Sequence, residues 1–501
     1  MSAALANRSR IAKQKTKFVV YRLLTYFGFL LVPVWSQKSL ELNFIGQTIF
    51  LLCYMLFMAG QWYLLGKEID HRFKIYYRVN SSMDRILYRS LMGHVSFILY
   101  FGLLSLIPDF LLKHFFWGTW VVLGIFYSWP TRGKIIQETM TSQFGEFHFL
   151  DRFEKTVLGM ILIFFLVSIP EHPQLQNLEA LKLFFDPNES FHPQVWNFLK
   201  INYFPFKKFP DLFRLSWLLH IYFVGGGLIL LLLYALSRVF FSRRLSILCL
   251  FAFISSWSYS KFLVYDYASP IVASFGLLWV WALLWITKSS TYRSGLFLGL
   301  VHYFGTLFNP LNIFLLPISV GLLLFNFLNE RTKWYKKQLL KYVTLGAVLC
   351  AIVLTSKFDT LMRVNLDFNN FYKEIAELFD RKGFLSLSLI GLVMSIAMLN
   401  ESVRSRLRYL AFEREKYVQL LLSVLVVFLT AFLFNKNLAM NYNLMAFLCF
   451  FCMVPIEWIF QSITRFRSKR NLIFGAYVLI CLLDSHFEGR VKILMSLINS
   501  N

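Results

Sequence analysis

Ionisable residues near the ends of very apolar segments are the part of this chain best suited to chemistry. Lys261 and Asp266 lie five residues apart in a short turn between two apolar runs. Asp186 and Glu189 lie three residues apart in a longer polar stretch that precedes them. Charges in or beside a membrane are costly, so such residues are functional candidates by default. Paired carboxylates predict general-base catalysis or a divalent-cation site, and a nearby ammonium group predicts phosphate binding.

Each of these residues also has a structural interpretation. Asp266 directly precedes an apolar helix and would serve as its N-cap, because aspartate accepts hydrogen bonds from free N–H groups there. Asp186 is followed by Pro187 and, three positions on, by Glu189, which is the spacing of a capping box. Lys261 would extend its charged end to the membrane interface. Both interpretations stay open from the sequence alone.

Further basic residues extend the candidate site. His192, Lys207 and Lys208 lie in the first polar stretch, and Arg363 lies in a second one. Basic side chains in such places suit an anionic phosphate, and membrane headgroups are the simpler ligand for the lysine pair. His302 lies inside an apolar run, where we interpret it as an interior residue with a hydrogen-bond partner.

Composition indicates a membrane protein. Of the 501 residues, 57% are hydrophobic, and several apolar runs are long enough to cross a hydrocarbon core about 30 Å thick. The net charge of +24 does not indicate a nucleic-acid partner, because the basic residues concentrate in alternate loops. All six cysteines lie in apolar runs, which predicts buried packing and no disulfide framework. The sequence therefore predicts an all-α, polytopic transmembrane protein.

The alternation of loop charge orients the predicted helices. The N-terminal segment is basic and is followed by no small-residue cleavage site, which predicts an uncleaved first helix and a cytoplasmic N-terminus. About fifteen spans then put the C-terminus outside, in a multi-pass protein of a bacterial inner membrane. The predicted spans cover 18–36, 44–66, 91–112, 114–130, 155–170, 214–237, 245–260, 267–287, 294–309, 311–329, 342–356, 384–400, 417–435, 438–461 and 471–485.

An ordered set of motifs over about residues 155–385 resembles the GT-C superfamily of integral-membrane glycosyltransferases. The nearest branch is that of the protein mannosyltransferases and the lipid A aminoarabinose transferases. The family's adjacent Asp-Glu pair in the first outer loop is absent here, and Asp186 and Glu189 are the nearest candidates for it. The motifs that carry the resemblance are Pro210 to Arg214, Tyr234 to Arg244, Tyr259 to Asp266 and Gly295 to Leu300.

The resemblance implies an arrangement of domains and an activity. A GT-C-like module over 154–385, with long outer loops at 171–211 and 357–383, would follow an N-terminal four-helix block with a basic cytoplasmic linker (1–153). A C-terminal four-helix block (386–501) would follow the module. The implied activity is transfer of a sugar from a polyprenyl-phosphate donor to a lipid, glycan or protein acceptor at the outer membrane face.

The resemblance also implies roles for the candidate residues. Asp186 or Glu189 would activate the acceptor hydroxyl, with Asp266 as a further carboxylate. Positive charge must stabilise the departing lipid phosphate. A divalent cation such as Mg²⁺ or Mn²⁺, held by Asp186 and Asp266, is one source of that charge. The other sources are the basic residues of the candidate site, namely Lys261, Lys207, Lys208, Arg363 and His192.

Two other functions remain open. The missing Asp-Glu pair favours a catalytically inactive GT-C-like protein that binds lipid or assists assembly. A transporter or flippase of lipid-linked sugars is the second alternative. The sequence shows neither an inverted repeat nor charges at mid-membrane positions, and both would favour transport.

Overall fold

The computed structural model describes part of the chain, and every regular element in that part is helical. This confirms the predicted all-α class. The described residues are 19–28, 30–31, 44–73, 82–104, 107–128, 150–167, 193–207, 210–256, 269–288, 292–308, 312, 315–328, 386–398, 400, 403, 421, 424, 438–462 and 469–483.

A helical segment at 19–28 precedes a series of longer helices. A short 3-10 turn, Phe204–Phe206, follows the fifth of them. The helices are α1 (Phe44–Phe73), α2 (Ser82–Leu104), α3 (Asp109–Ser128), α4 (Arg152–Val167), α5 (Pro193–Asn202), α6 (Pro210–Phe240), α7 (Arg243–Ser255), α8 (Ser269–Lys288), α9 (Tyr292–Phe308), α10 (Leu315–Leu328), α11 (Ser386–Ala397), α12 (Leu438–Ser462) and α13 (Arg470–Leu483).

The chain divides into two compact units, and α6 passes from one to the other. Unit 1 contains Met1–Phe149 and Pro193–Trp217, and unit 2 contains Leu150–His192 and Leu218–Asn501. The predicted boundaries at 153 and 385 stay a prediction.

In unit 1, α1 and α2 pack along each other and α5 packs on α2. The core is aromatic, with Trp120 stacked on Phe97 at a centroid distance of 5.7 Å. The Tyr54 hydroxyl donates to the carbonyl of Asn202 at 2.7 Å, which ties α1 to the end of α5. That tyrosine is fully buried. The hydrogen bond therefore gives its hydroxyl a partner, and a buried hydroxyl without one would cost free energy of folding.

In unit 2, every residue of α7 from Leu245 to Ser255 is buried. It contacts α4, α12 and α13, while α8 contacts α9 and α12. Helix α11 lies against α12 so closely that a Cβ atom on Gly391 would come within 1.9 Å of the Phe451 carbonyl oxygen. Helices that approach this closely need glycine at the crossing.

Two stretches differ from the sequence prediction. The turn predicted near 113 lies instead around Pro108, because the residue before a proline is disfavoured in a helix while the proline can start the next one. The predicted outer loop 171–211 contains α5 and the 3-10 turn, and both have buried faces that include Phe198 and Phe206. The buried side chains of Phe198, Leu199, Ile201, Tyr203 and Phe206 therefore form part of the unit 1 core.

Among the described helices, two are long and apolar enough to cross a membrane, namely Ile49–Asp70 and Phe110–Ser128. Two such helices are weak support for the predicted polytopic arrangement, which stays a prediction. Shorter apolar helices cover Val224–Phe240, Ser274–Leu284, Phe297–Leu307, Leu387–Ala397, Met445–Phe460 and Arg470–Leu483.

Candidate functional site

Of the residues that the sequence predicts for the site, Lys207 is the one within the described part of the chain. It is exposed at the end of the 3-10 turn, where its backbone N–H donates to the Phe204 carbonyl at 3.1 Å. Its ammonium nitrogen lies 5.8 Å from the centroid of the Phe204 ring. The predicted residues that lie outside the described ranges are Asp186, Glu189, His192, Lys208, Lys261, Asp266 and Arg363.

The helices that lead toward the two candidate carboxylate segments are α4 and α7. Their N-terminal ends are joined by a bidentate ion pair, in which the Arg243 guanidinium donates to both oxygens of Glu154 at 2.9 and 2.8 Å. Near their C-terminal ends, the rings of Phe164 and Phe251 have centroids 5.9 Å apart. Contacts at both ends show that α4 and α7 lie side by side and run in the same direction.

Glu154 is held by its own helix as well as by Arg243. The backbone N–H of Asp151 donates to Glu154 Oε2 at 2.9 Å, and the N–H of Glu154 donates to Asp151 Oδ1 at 2.7 Å. This reciprocal pair is a capping box at the start of α4, with acid groups near the positive end of the helix dipole. The Glu154 side chain is only 2% exposed, so its position is closely defined.

The second arginine of α7 extends the same cluster to α13. Arg244 pairs with Asp151 and also donates to the Asn471 side chain at 3.0 Å. Arg470 lies 5.5 Å from the ring centroids of both Phe460 and Phe474. Aromatic faces attract a guanidinium, so these rings hold Arg470 at the start of α13.

We call the set Asp151, Glu154, Arg243, Arg244 and Asn471 the basal joint. Its carboxylates oppose its guanidinium groups, and the hydrogen bonds to Glu154 together with nearby negative charge raise the pKa of Arg243 above its ordinary value. The guanidinium therefore stays charged at physiological pH, and its charge is directed at Glu154. This arrangement fastens helix ends together and is poorly suited to binding a substrate anion.

Sequence reasoning did not identify the basal joint. Arg243 and Arg244 entered only as part of the resembling motif, and Asp151 and Glu154 were not singled out. A signal was present, because an acid followed three residues later by Glu, just before an apolar run, has the spacing of a capping box. No local pattern indicates that this box meets an arginine 89 residues away.

A second polar cluster is buried among α8, α9 and α10. The Trp279 indole N–H donates to the Ser319 hydroxyl oxygen at 2.7 Å, and His302 Nε2 lies 2.8 Å from the same oxygen. The Ser319 hydroxyl also lies 3.0 Å from the carbonyl of Leu315, one turn earlier. All three side chains are fully buried, which confirms the predicted interior position of His302.

The Ser319 hydroxyl has a single proton and can donate it either to the Leu315 carbonyl or to Nε2 of His302. The tautomer of His302 follows from that choice, because Nε2 donates to the Ser319 oxygen in the first case and accepts from the hydroxyl in the second. Among the residues that the structure describes, Nδ1 has no hydrogen-bond partner.

Ser319→Ala is expected to lower the thermal stability of unit 2. The change leaves the indole N–H of Trp279 and Nε2 of His302 buried without their hydrogen-bond partner, at about 1–3 kcal/mol each. Thermal unfolding followed by circular dichroism in detergent measures the loss. The matched control is Ser246→Ala, because the buried Ser246 hydroxyl donates to the Ser242 carbonyl, one turn earlier, and among the described residues it receives no hydrogen bond from another helix. Equal midpoints for the two variants would contradict the role of Ser319 as a shared hydrogen-bond partner.

The described residues contain no group of three or more His, Cys, Asp or Glu side chains that could hold a metal ion. The predicted divalent cation on Asp186 and Asp266 stays a prediction, since both residues lie outside the described ranges. Comparison of the chain with protein-family models, with curated proteins and with solved structures finds no match.

Proposed function

We propose that the chain is a polytopic membrane protein. The support is the apolar character of outward helix faces in both units. On α11, Leu389, Val393 and Ile396 are each more than half exposed and share one face. On α3, Phe110 and Val122 are 74% and 65% exposed. Large continuous apolar surfaces are unfavourable in water, whereas a hydrocarbon solvent suits them.

We further propose that this protein is a GT-C-like transferase, which moves a sugar from a polyprenyl-phosphate donor to a lipid, glycan or protein acceptor. The observation that supports it is the parallel pairing of α4 and α7. Helix α4 ends at Val167 and the chain continues toward Asp186 and Glu189, while α7 ends at Ser255 and the chain continues toward Asp266. The two candidate segments therefore start from neighbouring helix ends on one side of unit 2.

This arrangement meets a requirement of the chemistry. A general base and the group that stabilises the leaving phosphate must be held at defined positions relative to each other. Helices α4 and α7 are fixed at their first turns by the Glu154–Arg243 pair and are in contact at Phe164 and Phe251. Chain segments that leave from such a pair begin at a defined separation.

The experiment is a donor-turnover assay on the purified protein in lipid nanodiscs, with a detergent-solubilised extract of bacterial membranes added as the source of lipid, glycan and protein acceptors for the sugar. The probes are undecaprenyl-phosphate and dolichyl-phosphate hexoses with a radiolabelled sugar, and the readout is the polyprenyl phosphate formed. Asp186→Asn and Asp266→Asn are each expected to reduce turnover by at least about 100-fold, the usual contribution of a positioned base. Gln176→Ala, in the same predicted loop, is the matched control and is expected to keep turnover, since an uncharged amide cannot act as the base.

The outcomes separate the candidate functions. Turnover that depends on the two aspartates supports the transferase. Binding of the donor without formation of polyprenyl phosphate overturns it in favour of the inactive, lipid-binding alternative. Movement of intact donor across a liposome membrane, with no cleavage, overturns it in favour of transport.

A further inference from the structure

Helices α1 and α2 form a hairpin whose closed end is rich in ionisable side chains. The helices pack along each other, and residues 74–81 join them. Gly66 of α1 lies against the backbone of Arg89 of α2. One turn beyond this contact, toward the closed end, are Asp70 on α1 and Arg85 on α2. These two residues therefore lie at about the same level of the hairpin, on the helix faces that meet at Gly66.

The buried acid at this end of the hairpin is already paired. The Arg89 guanidinium donates through Nε to Asp70 Oδ2 at 2.9 Å and through Nη1 to the Tyr63 hydroxyl at 3.2 Å. Asp70 is only 5% exposed, and the ion pair compensates a carboxylate that is largely shielded from water. The negative charge of Asp70 is therefore offset by Arg89.

Arg85 differs from Arg89 in this respect. Its Nε atom is buried, and it makes no hydrogen bond to any residue that the structure describes. A buried N–H group without an acceptor costs free energy. A guanidinium gains most from an oxyanion that accepts two of its parallel N–H groups. The environment of Arg85 therefore suits an anionic ligand.

The charge around Arg85 is positive. Residues 67–89 contain six Lys or Arg and three Asp or Glu, which is a net charge of +3. Lys67 is one of the six, is only 8% exposed and shares a helix face with Tyr63 and Asp70, at positions i, i+4 and i+7. A charge that is held away from water acts more strongly on its surroundings. A ligand with two negative charges suits this surplus better than a ligand with one.

We propose that the closed end of the α1–α2 hairpin binds a phosphoryl group, with Arg85 as its main hydrogen-bond donor and Lys67 as a nearby positive charge. Phosphate oxygens match the forked guanidinium, and a phosphomonoester carries about two negative charges at neutral pH. The phosphoryl group belongs either to a lipid headgroup or to a soluble phosphate. Asp70 ends the candidate span Ile49–Asp70, so a membrane around α1 puts this site at the depth of the headgroups. The proposal does not depend on sugar transfer.

The test uses the full-length protein in nanodiscs, in two arms that distinguish these sources. In the first arm the lipid is phosphatidylcholine alone, and the unfolding midpoint is followed as orthophosphate is added, with sodium chloride at equal ionic strength as the reference. In the second arm phosphatidic acid is mixed with the phosphatidylcholine, and native mass spectrometry counts the phosphatidic acid that the protein retains. We expect binding in at least one arm.

Arg85→Gln is expected to weaken that binding by at least about tenfold, because the charged hydrogen-bond donor is lost. The matched control is Lys113→Gln, which removes a positive charge from an exposed position of α3 in the same unit. This control is expected to bind orthophosphate or phosphatidic acid as the unchanged protein does. Absence of binding in both arms, or an equal loss in the two variants, overturns the proposal. Stabilisation by succinate and not by orthophosphate overturns it in favour of a carboxylate ligand.

The unfolding midpoint in phosphatidylcholine alone, without orthophosphate, separates a binding residue from a structural one. We expect Arg85→Gln to leave this midpoint unchanged or to raise it, because residues kept for binding commonly contribute little stability of their own. A lower midpoint shows that Arg85 stabilises the hairpin itself and overturns the proposal. Since no sugar donor is present, these outcomes are independent of the transferase proposal.

Discussion

Gly93→Ala is expected to disrupt the packing of unit 1, with a loss of at least about 3 kcal/mol. A Cβ atom at this position would come within 1.7 Å of the Trp62 carbonyl oxygen and 2.4 Å of its carbon. Both are backbone atoms and cannot rotate away, so α1 and α2 would have to move apart. Thermal unfolding by circular dichroism, together with size-exclusion chromatography in detergent, measures the effect.

The same crossing has a second contact point, which predicts a similar effect for Gly66→Ala. A Cβ atom on Gly66 would lie 1.7 Å from the Arg89 carbonyl oxygen. Gly66 follows Trp62 by one turn, and Gly93 follows Arg89 by one turn, so each helix presents a glycine to the backbone of the other. Two such points fix both the distance between the helices and their register.

The control for these variants is Gly60→Ala in the same helix. A Cβ atom at Gly60 meets nothing within 4 Å, and alanine favours a helix over glycine. We expect an unchanged or slightly higher unfolding midpoint. If Gly93→Ala and Gly60→Ala had the same midpoint, the close crossing of α1 and α2 would be wrong.

Glu154→Ala is expected to release the basal joint and to cost about 3 kcal/mol of stability in unit 2. Glu154 is nearly inaccessible, and removing one partner of a buried ion pair leaves the other charge uncompensated. We take the lower end of the usual range because the Arg243 side chain is 30% exposed and water screens part of the loss. The unfolding midpoint in detergent is the measurement.

The neighbouring Arg152→Ala is the control for this prediction. Arg152 is exposed at the first position of α4, where a positive charge is unfavourable to the helix dipole. Its removal is expected to leave the midpoint unchanged. A double-mutant cycle of Glu154→Gln and Arg243→Gln isolates the pair itself, and a coupling free energy near zero would show that the joint adds no stability.

The sequence predicted the helical class because apolar composition and run length are local properties. It did not predict α5, because a helix of ten residues with several polar side chains resembles a loop until its partner is known. The close crossing of α1 and α2 at Gly66 and Gly93 could not be predicted from the sequence either. A glycine in an apolar run gives no indication of which backbone it will meet.

In the candidate site, too, local features could be predicted and long-range contacts could not. The arginines at the start of α7 belonged to a recognisable motif, but their partners Asp151 and Glu154 lie about ninety residues earlier in the chain. Long-range pairing of this kind depends on how the helices assemble, and one sequence does not contain that information in local form. His302 was correctly predicted as interior, whereas its partner Ser319, which lies on another helix, could not be identified from the sequence.

The basal joint also limits how unit 2 can move. With the first turns of α4 and α7 fastened, a relative tilt of these helices would be centred on that end and would have to move the Phe164–Phe251 contact. Helix α7 is about 20 Å long, so a tilt of 5° would shift its far end by under about 2 Å. A small rotation at the joint therefore gives a proportionate displacement of the opposite helix end, where the chain continues toward Lys261 and Asp266.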